Sequence, residues 1–150
     1  KIILPIDFNV AEFFSPRAKA STVDYNQIEP HQVGLDLGPK TNALFRKYLS
    51  SAKTVVWNGP LGYIEWAKFA VSTKEIARFL GKLENAITIV GGGETAEVLI
   101  KFHLHHNLTH VSTGGGAALE FLAEGDLPAL QCLEKNHQKF KKILKNSALL

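Results

Sequence analysis

A chain of 150 residues, 45% apolar and 21% charged, is long enough to bury one core and is neither disordered nor fibrous in composition. Its formal charge of +3 is small, with lysines dispersed until residues 136–150, and makes no case for a nucleic-acid partner. No apolar run approaches the ~20 residues needed to cross a bilayer, so neither a membrane span nor a membrane partner is expected. The single cysteine, Cys132, lacks an internal disulfide partner and reads as a buried structural thiol in a reducing compartment. There is no methionine, and the chain opens directly on "KIILPID". The expectation is therefore a segment of something longer, carrying only part of a site.

In chain order, residues 2–6 have the apolar continuity of a buried strand. Residues 8–32, with Pro16 and Pro30, read as a long excursion with a short hairpin around Ala20–Asp24. Thr41 is placed to cap a helix in which Leu44, Phe45, Tyr48 and Leu49 share a face. Residues 54–57 form the next strand pattern. A helix beginning at Ser72 or Thr73 then turns Ile76, Ala77, Phe79 and Leu80 inward and ends at Gly81. Strand patterns at 87–90 and His110–Ser112 are each followed by a helical one, at 95–102 and 117–123. Strands alternating with helices predict an α/β fold, here a partial doubly wound parallel sheet in a three-layer, Rossmann-like lobe.

Two glycine triplets, Gly91–Gly92–Gly93 and Gly114–Gly115–Gly116, and the run "WNGPLG" fall where strands meet helices. In a parallel sheet all such turns gather at the carboxyl edge. Each opens a helix whose first N–H groups lack internal partners and carry the positive end of the dipole. Glycine lets those groups approach a ligand closely, so the rim suits phosphate. Glycines that merely close tight turns are the plainer alternative. The pattern is not a P-loop, because no Lys-Ser/Thr pair follows Gly93. Nor does it have the G-x-G-x-x-G spacing of a dinucleotide site. A carboxylate, Glu94, follows the first triplet at once, and then Thr95. Beside phosphate-binding amides a carboxylate calls for a cation, and Mg²⁺ is the natural one. As a bare helix-terminal acid, Glu94 would instead be stabilised by the dipole.

The runs "LPID", "GLDLGPKT", "VVWNGPLGYIE", "IVGGGETA" and "STGGGAALEFLAEGDLPAL" resemble, in order and spacing, the later part of the C-terminal, nucleotide-binding lobe of phosphoglycerate kinase. On this resemblance residues 1–135 form part of that lobe and 136–150 a basic tail. The family transfers a phosphoryl group reversibly between ATP and 3-phosphoglycerate in glycolysis, with Mg²⁺, as a cytoplasmic monomer. The resemblance implies that Gly34, Leu35 and Tyr63 border the adenine and that Glu65 binds the ribose. It implies further that Asn58, Gly59 and Pro60 line the phosphate path, and that Gly92, Gly93 and Thr95 hold phosphates. Glu94 would ligate magnesium at a position where the family usually has Asp. Gly114, Gly115 and Gly116 would present amides to the transferred phosphoryl, with Gly115 and Gly116 catalytic. The 3-phosphoglycerate or 1,3-bisphosphoglycerate site would belong to an N-terminal lobe outside this chain, together with a lysine-bearing loop of the nucleotide lobe, so the segment alone is expected to be inactive. The alternative is a noncatalytic nucleotide-binding or interaction module from a truncated or degenerate gene copy.

Other residues have two readings. Trp57 fits the core better than a stacked base, and Trp66 is undecided. His103, His105, His106 and His110 lack the cysteine or carboxylate spacing of a zinc site and fit a polar helix end. Asp7 reads as a turn former, and Asp36 has no assigned role. In the tail, Phe140, Ile143 and Leu144 share a helical face among Lys139, Lys141, Lys142 and Lys145. That pattern fits a basic amphipathic membrane or partner helix, or else a solvated end.

Overall fold

The computed structural model describes residues 1–147, with side chains described as far as Lys141. Among the described residues six strands form two sheets. The first is antiparallel, in the order β2-β1-β3, from β1 (Asp7–Ala11), β2 (Ala20–Asp24) and β3 (Val33–Leu37). The second is the expected parallel sheet, in the order β4-β5-β6, from β4 (Thr54–Asn58), β5 (Ile87–Gly91) and β6 (His110–Ser112). Around them lie the helices α1 (Pro39–Leu49), α2 (Val71–Leu80), α3 (Gly93–Lys101), α4 (Gly115–Glu124) and α5 (Pro128–Ser147).

The main core lies on the parallel sheet. Val55, Trp57 and Val90 meet Ile76, Ala77 and Leu80 of α2 and Leu99 of α3, with Phe45 and Leu49 packed at the margin. The alternation along β4 explains the choice: Val55 and Trp57 point inward while Thr54, Val56 and Asn58 are exposed. Removing a side chain such as Leu99 from water contributes about 1.5–3 kcal/mol. A smaller cluster of Ala11, Ala18, Leu35 and Phe69 lies on the antiparallel sheet, and Trp66 packs against it with Tyr63. Trp57 is therefore core, its indole N–H donating to the Gly59 carbonyl at 2.6 Å, and Trp66 belongs to the second cluster.

Several local expectations are corrected. Residues 2–6 are not a strand; Ile2 and Leu4 are 86% and 71% exposed, and pairing begins at Asp7. In the segment 8–32 residues 8–11 and 20–24 are strand, and Ala20–Asp24 is a single strand, not a hairpin: β1 pairs with β2 on one side and β3 on the other, with a bulge between Asn9 and Val10. Cys132 is exposed on α5, not buried. Ser72 and Thr73 lie inside α2, which starts at Val71, and Tyr48 and Leu44 stand away from the core.

Thr41 does not cap its own helix; it sits buried in the first turn of α1, whose N-cap is Gly38. The capping acceptor comes from β1 instead. The Asp7 carboxylate, fully buried, accepts from the backbone N–H of Lys40 at 2.9 Å and of Thr41 at 2.7 Å, and from the Thr41 hydroxyl at 2.6 Å. Glycine at 38 is required by the close approach, since a Cβ there would lie 2.2 Å from the Asp7 carboxyl carbon. Asp36 does the same for α2, accepting from the N–H groups of Val71 (2.9 Å) and Ser72 (3.1 Å). Two aspartates of one antiparallel sheet thus satisfy orphan donors at the starts of two helices.

The two carboxyls are shifted in opposite directions. Burial raises the Asp7 pKa, but the Thr41 hydroxyl, the N–H groups of Lys40 and Thr41 and the Lys40 charge together hold it below the ordinary 3.8. For Asp36 burial wins over its backbone and Ser72 donors and pushes the pKa up. Ionised Asp7 therefore stabilises the fold above pH 4 or so, and that contribution is lost as pH falls through its lowered folded pKa. Asp36 has the opposite sign, its ionisation working against folding as pH rises through its raised pKa. Asp7→Asn is expected to cost about 1–3 kcal/mol at neutral pH, since an amide cannot accept with both arms. In urea titrations the gap between Asp7→Asn and the unsubstituted chain should narrow below pH 4, and a gap independent of pH would contradict the assignment.

Candidate functional site

Register brings the expected rim together. Asn58 pairs with Gly91, and Gly91 with Ser112, so the last residues of β4, β5 and β6 stand abreast at the carboxyl edge. The chain leaves β4 through Gly59 (φ +87°) and β5 through Gly92 (φ +108°), in the left-handed region that favours glycine. The turns then touch. A Cβ on Gly115 would lie 3.0 Å from the Gly92 Cα and 3.1 Å from the Asn58 Oδ1, and one on Gly92 would lie 3.3 Å from the same Asn58 oxygen. Gly92 and Gly115 thus flank the Asn58 carboxamide, and a Cβ on Gly92 would also lie 3.8 Å from the Gly59 nitrogen.

Helices α3 and α4 begin at this rim, at Gly93 and Gly115, and neither has a side-chain cap. Their first N–H groups are consequently open to an outside acceptor, at the positive ends of two dipoles. Gly93 and Gly116 are exposed, and a Cβ on Gly116 would meet nothing within 4 Å. Thr95 lies beneath the turn, fully buried, with its hydroxyl unpartnered.

The remaining residues fall into two neighbouring places. Gly34, Leu35, Pro60 and Tyr63 line one cavity of about 430 Å³, together with Phe14 and Asp36. Its aromatic lining is Phe8, Phe14 and Tyr63; the Phe14 and Tyr63 ring centroids lie 4.9 Å apart, and Trp66, outside the lining, packs 4.6 Å from Tyr63. Glu65 and Glu94 line a separate small hollow of about 130 Å³ with Glu97 and Lys101. Glu65 and Tyr63, close in sequence, therefore face different hollows. Pro60 links the rim to the aromatic cavity, because it follows Asn58 and Gly59 directly.

The residues that hold these parts were not singled out from sequence. The Thr73 hydroxyl accepts from the Leu61 N–H at 3.0 Å, and the Tyr63 N–H donates to the Leu35 carbonyl at 2.7 Å, fixing both ends of the 61–63 turn. Gly62 lies against Asp36, where a Cβ would fall 2.3 Å from its carboxylate oxygen. Asp36 thus anchors α2 and crowds the loop at once. The signal available was "GLDLG", an aspartate in a buried strand, which must find donors or lose its charge.

Magnesium takes six oxygens, usually one or two carboxylates with phosphates and water. Glu94 is an exposed carboxylate in the first turn of α3. Among the described residues no group of three or more His, Cys, Asp or Glu side chains could hold a metal. The donor set fits an ion carried largely by a ligand's phosphates, with Glu94 as one contributor, and does not fit a cage built from protein alone. The four histidines likewise form no such group; His105 and His106 stack at 3.8 Å.

An α/β lobe whose parallel sheet ends in touching glycine turns is the class these elements define. The family model for phosphoglycerate kinase matches residues 1–125. The phosphoglycerate kinase of Onion yellows phytoplasma is 47% identical over 136 residues, 90% of this chain, and that of Staphylococcus epidermidis is 44% identical over 133 residues, 89% of it. Among solved structures, phosphoglycerate kinase from Coxiella burnetii superposes with a TM-score of 0.79 at 39% identity over 91% of the chain. That from Pyrococcus horikoshii gives 0.77 at 31%, again over 91%. The chain belongs to the phosphoglycerate kinase family. It spans about a third of the length of these relatives, 34% for the first three and 33% for the last.

The two ends of the second triplet have different tolerances. Gly115→Ala is expected to force the two turns apart and cost about 1–3 kcal/mol. Gly116→Ala, entering open space in the first turn of α4, should stay within about 0.5 kcal/mol of the unsubstituted chain. Urea unfolding of the two variants checks the difference, and equal stabilities would show that the turns do not press on each other.

Proposed function

We propose that this chain is part of the nucleotide-binding lobe of a phosphoglycerate kinase and, joined to the remaining two thirds of such a protein, takes part in reversible phosphoryl transfer between ATP and 3-phosphoglycerate. The observation that carries the proposal is the alignment of Asn58, Gly91 and Ser112, which brings three glycine turns and two uncapped helix starts to one edge. A terminal phosphate seated there meets N–H groups fixed in place before the reaction, and phosphoryl transfer depends on such positioning and charge stabilisation. The amides at Gly92, Gly93 and Thr95 hold the nucleotide's phosphates, and those at Gly115 and Gly116 face the group in transit, the Gly114 N–H being donated to the Ser112 hydroxyl oxygen at 3.2 Å.

In the same proposal Gly34, Leu35 and Tyr63 border the adenine in the 430 Å³ cavity. Asn58, Gly59 and Pro60 form the path from that cavity to the rim, and Glu65 takes the ribose hydroxyls from its flank. Glu94 holds the magnesium that accompanies the nucleotide; the ion supplies charge neutralisation to the phosphates. The phosphoglycerate or bisphosphoglycerate is bound by the partner lobe, and the complete protein acts as a cytoplasmic, monomeric glycolytic enzyme. The chain alone then offers dipoles against a polyphosphate's full charge and transfers no phosphoryl group.

Glu94 provides the test. In the complete protein Glu94→Ala is expected to weaken MgADP binding by at least about tenfold, in line with the loss of a charged contact. Glu94→Asp should preserve it. Calorimetry with and without magnesium distinguishes the cases: equal MgADP affinity for the alanine variant would leave Glu94 as a helix-terminal acid and nothing more.

A further inference from the structure

The strand that delivers α4 to the rim is the shortest one described: β6 has three residues, against five in each of the others. Its pairing with β5 runs from Ile89 with His110, through Val90 with Val111, to Gly91 with Ser112. A ladder this short commits few side chains to a face and fixes register weakly. A slip of one residue would move β6 by about 3.3 Å along its axis. A Cβ on Gly115 would lie only 3.0 Å from the Gly92 Cα, so a movement of that size would take the β6–α4 turn out of its place on the rim.

One position before this ladder, Thr88 and Thr109 face each other and join through their side chains. The Thr88 N–H donates to the Thr109 hydroxyl oxygen at 3.1 Å, and the Thr109 N–H donates to the Thr88 hydroxyl oxygen at 3.0 Å. The two oxygens are 3.4 Å apart. Thr88 is buried on the face of β5 that also carries the core residue Val90. Backbone ladder bonds re-form in any register, but this reciprocal pair exists in one only. After a slip in either direction Thr88 would meet Leu108 or His110, neither of which presents a hydroxyl. Leu108 does anchor the approach to β6 in the main core, yet apolar contact is not directional and does not choose a register alone. At the far end of β6 the Ser112 hydroxyl oxygen accepts from the Gly114 N–H, so the placement set at Thr109 continues through extended chain into the first turn of α4.

We propose that Thr88 and Thr109 are positioning residues for phosphoryl transfer: their reciprocal pair sets the register of β6 and, through it, the place of the Gly115 and Gly116 amides. The proposal rests on the function given above for the glycine rim. Both threonines lie about 10 Å of strand below that rim, too far to touch a phosphate seated on it. They act through the β6–α4 turn. The amides assigned to the nucleotide's phosphates, at Gly92, Gly93 and Thr95, belong to the β5–α3 turn and α3, on the other side of the pair. Loss of the pair therefore falls on the step that uses Gly115 and Gly116, and nucleotide affinity is retained.

Steady-state kinetics of the complete protein carrying Thr109→Val, Thr88→Val or Thr109→Ser tests the proposal, with kcat expressed per molecule that binds MgADP so that unfolded protein is not counted. Each valine variant removes one of the two bonds, so either one that folds suffices. A valine variant is expected to lose on the order of ten- to a hundredfold in kcat, the scale of a misplacement approaching 1 Å at the reacting group. KM for MgATP should stay within about twofold, as for an interaction felt only in the transition state. Thr109→Ser keeps the hydroxyl and should keep kcat. Amide NMR of the same proteins gives a readout independent of turnover: the Gly115 and Gly116 signals should move in the valine variants and return in the serine one. Unchanged kcat in a folded valine variant overturns the proposal, as do a rise in KM matching the fall in kcat, an equal fall in Thr109→Ser, and glycine signals that stay in place. The function on which the proposal rests fails differently: the unsubstituted complete protein would itself transfer no phosphoryl group, and the proposal would fall with it.

Discussion

The meeting of Gly92 and Gly115 is the constraint on which the rim depends. A methyl group on Gly115 would stand 3.0 Å from the neighbouring Cα, closer than carbon atoms pack, so the β5–α3 and β6–α4 turns can share one edge only while a side chain is absent there. Parallel pairing sets the strand ends level, and this contact keeps the two helix starts close together. Asn58 is the third party, its oxygen lying against both turns. Two dipoles aimed at one place follow from backbone geometry alone, before any charged side chain is considered.

A second constraint ties the antiparallel sheet to this arrangement. Asp7 and Asp36 project from neighbouring strands into the starts of α1 and α2, and Asn9 pairs with Asp36 in the register of β1 and β3. Buried carboxylates are costly unless their oxygens are satisfied, and here backbone N–H groups of helix first turns do so. The consequence reaches the site. Asp36 holds α2 and presses on Gly62, while Thr73 of the same helix holds Leu61. The loop that joins the aromatic cavity to the glycine rim is therefore positioned by residues that line or underlie it.

The parallel sheet, its helices and its glycine turns were legible because each rests on a local pattern: an apolar run, a 3.6-residue period and a glycine cluster between them. The antiparallel sheet was not. Its strands, "DFNVA" and "VGLDL", contain aspartate, asparagine and glycine, which are poor strand formers, and they pair across more than twenty residues of chain. Residues 2–6 have a better strand composition and no partner, since pairing is a tertiary property that composition does not report. Thr41 looked like a cap by type and position, but the acceptor that caps α1 comes from β1, thirty-four residues earlier. The glycine motifs named the rim, whereas the division of Tyr63 and Glu65 between two hollows depended on how the 61–65 segment turns.

The central claim is that the carboxyl edge of the parallel sheet, and not the opposite edge, receives nucleotide phosphate. Amide-resolved NMR of the complete protein during MgADP titration addresses it directly. The amides of Gly92, Gly93, Gly115 and Gly116 are expected to shift together, with one saturation curve, while those of Ser51, Lys53, Asn85 and Ala86 at the far edge stay in place. Saturating shifts at the far edge with an unmoved glycine rim would contradict the account.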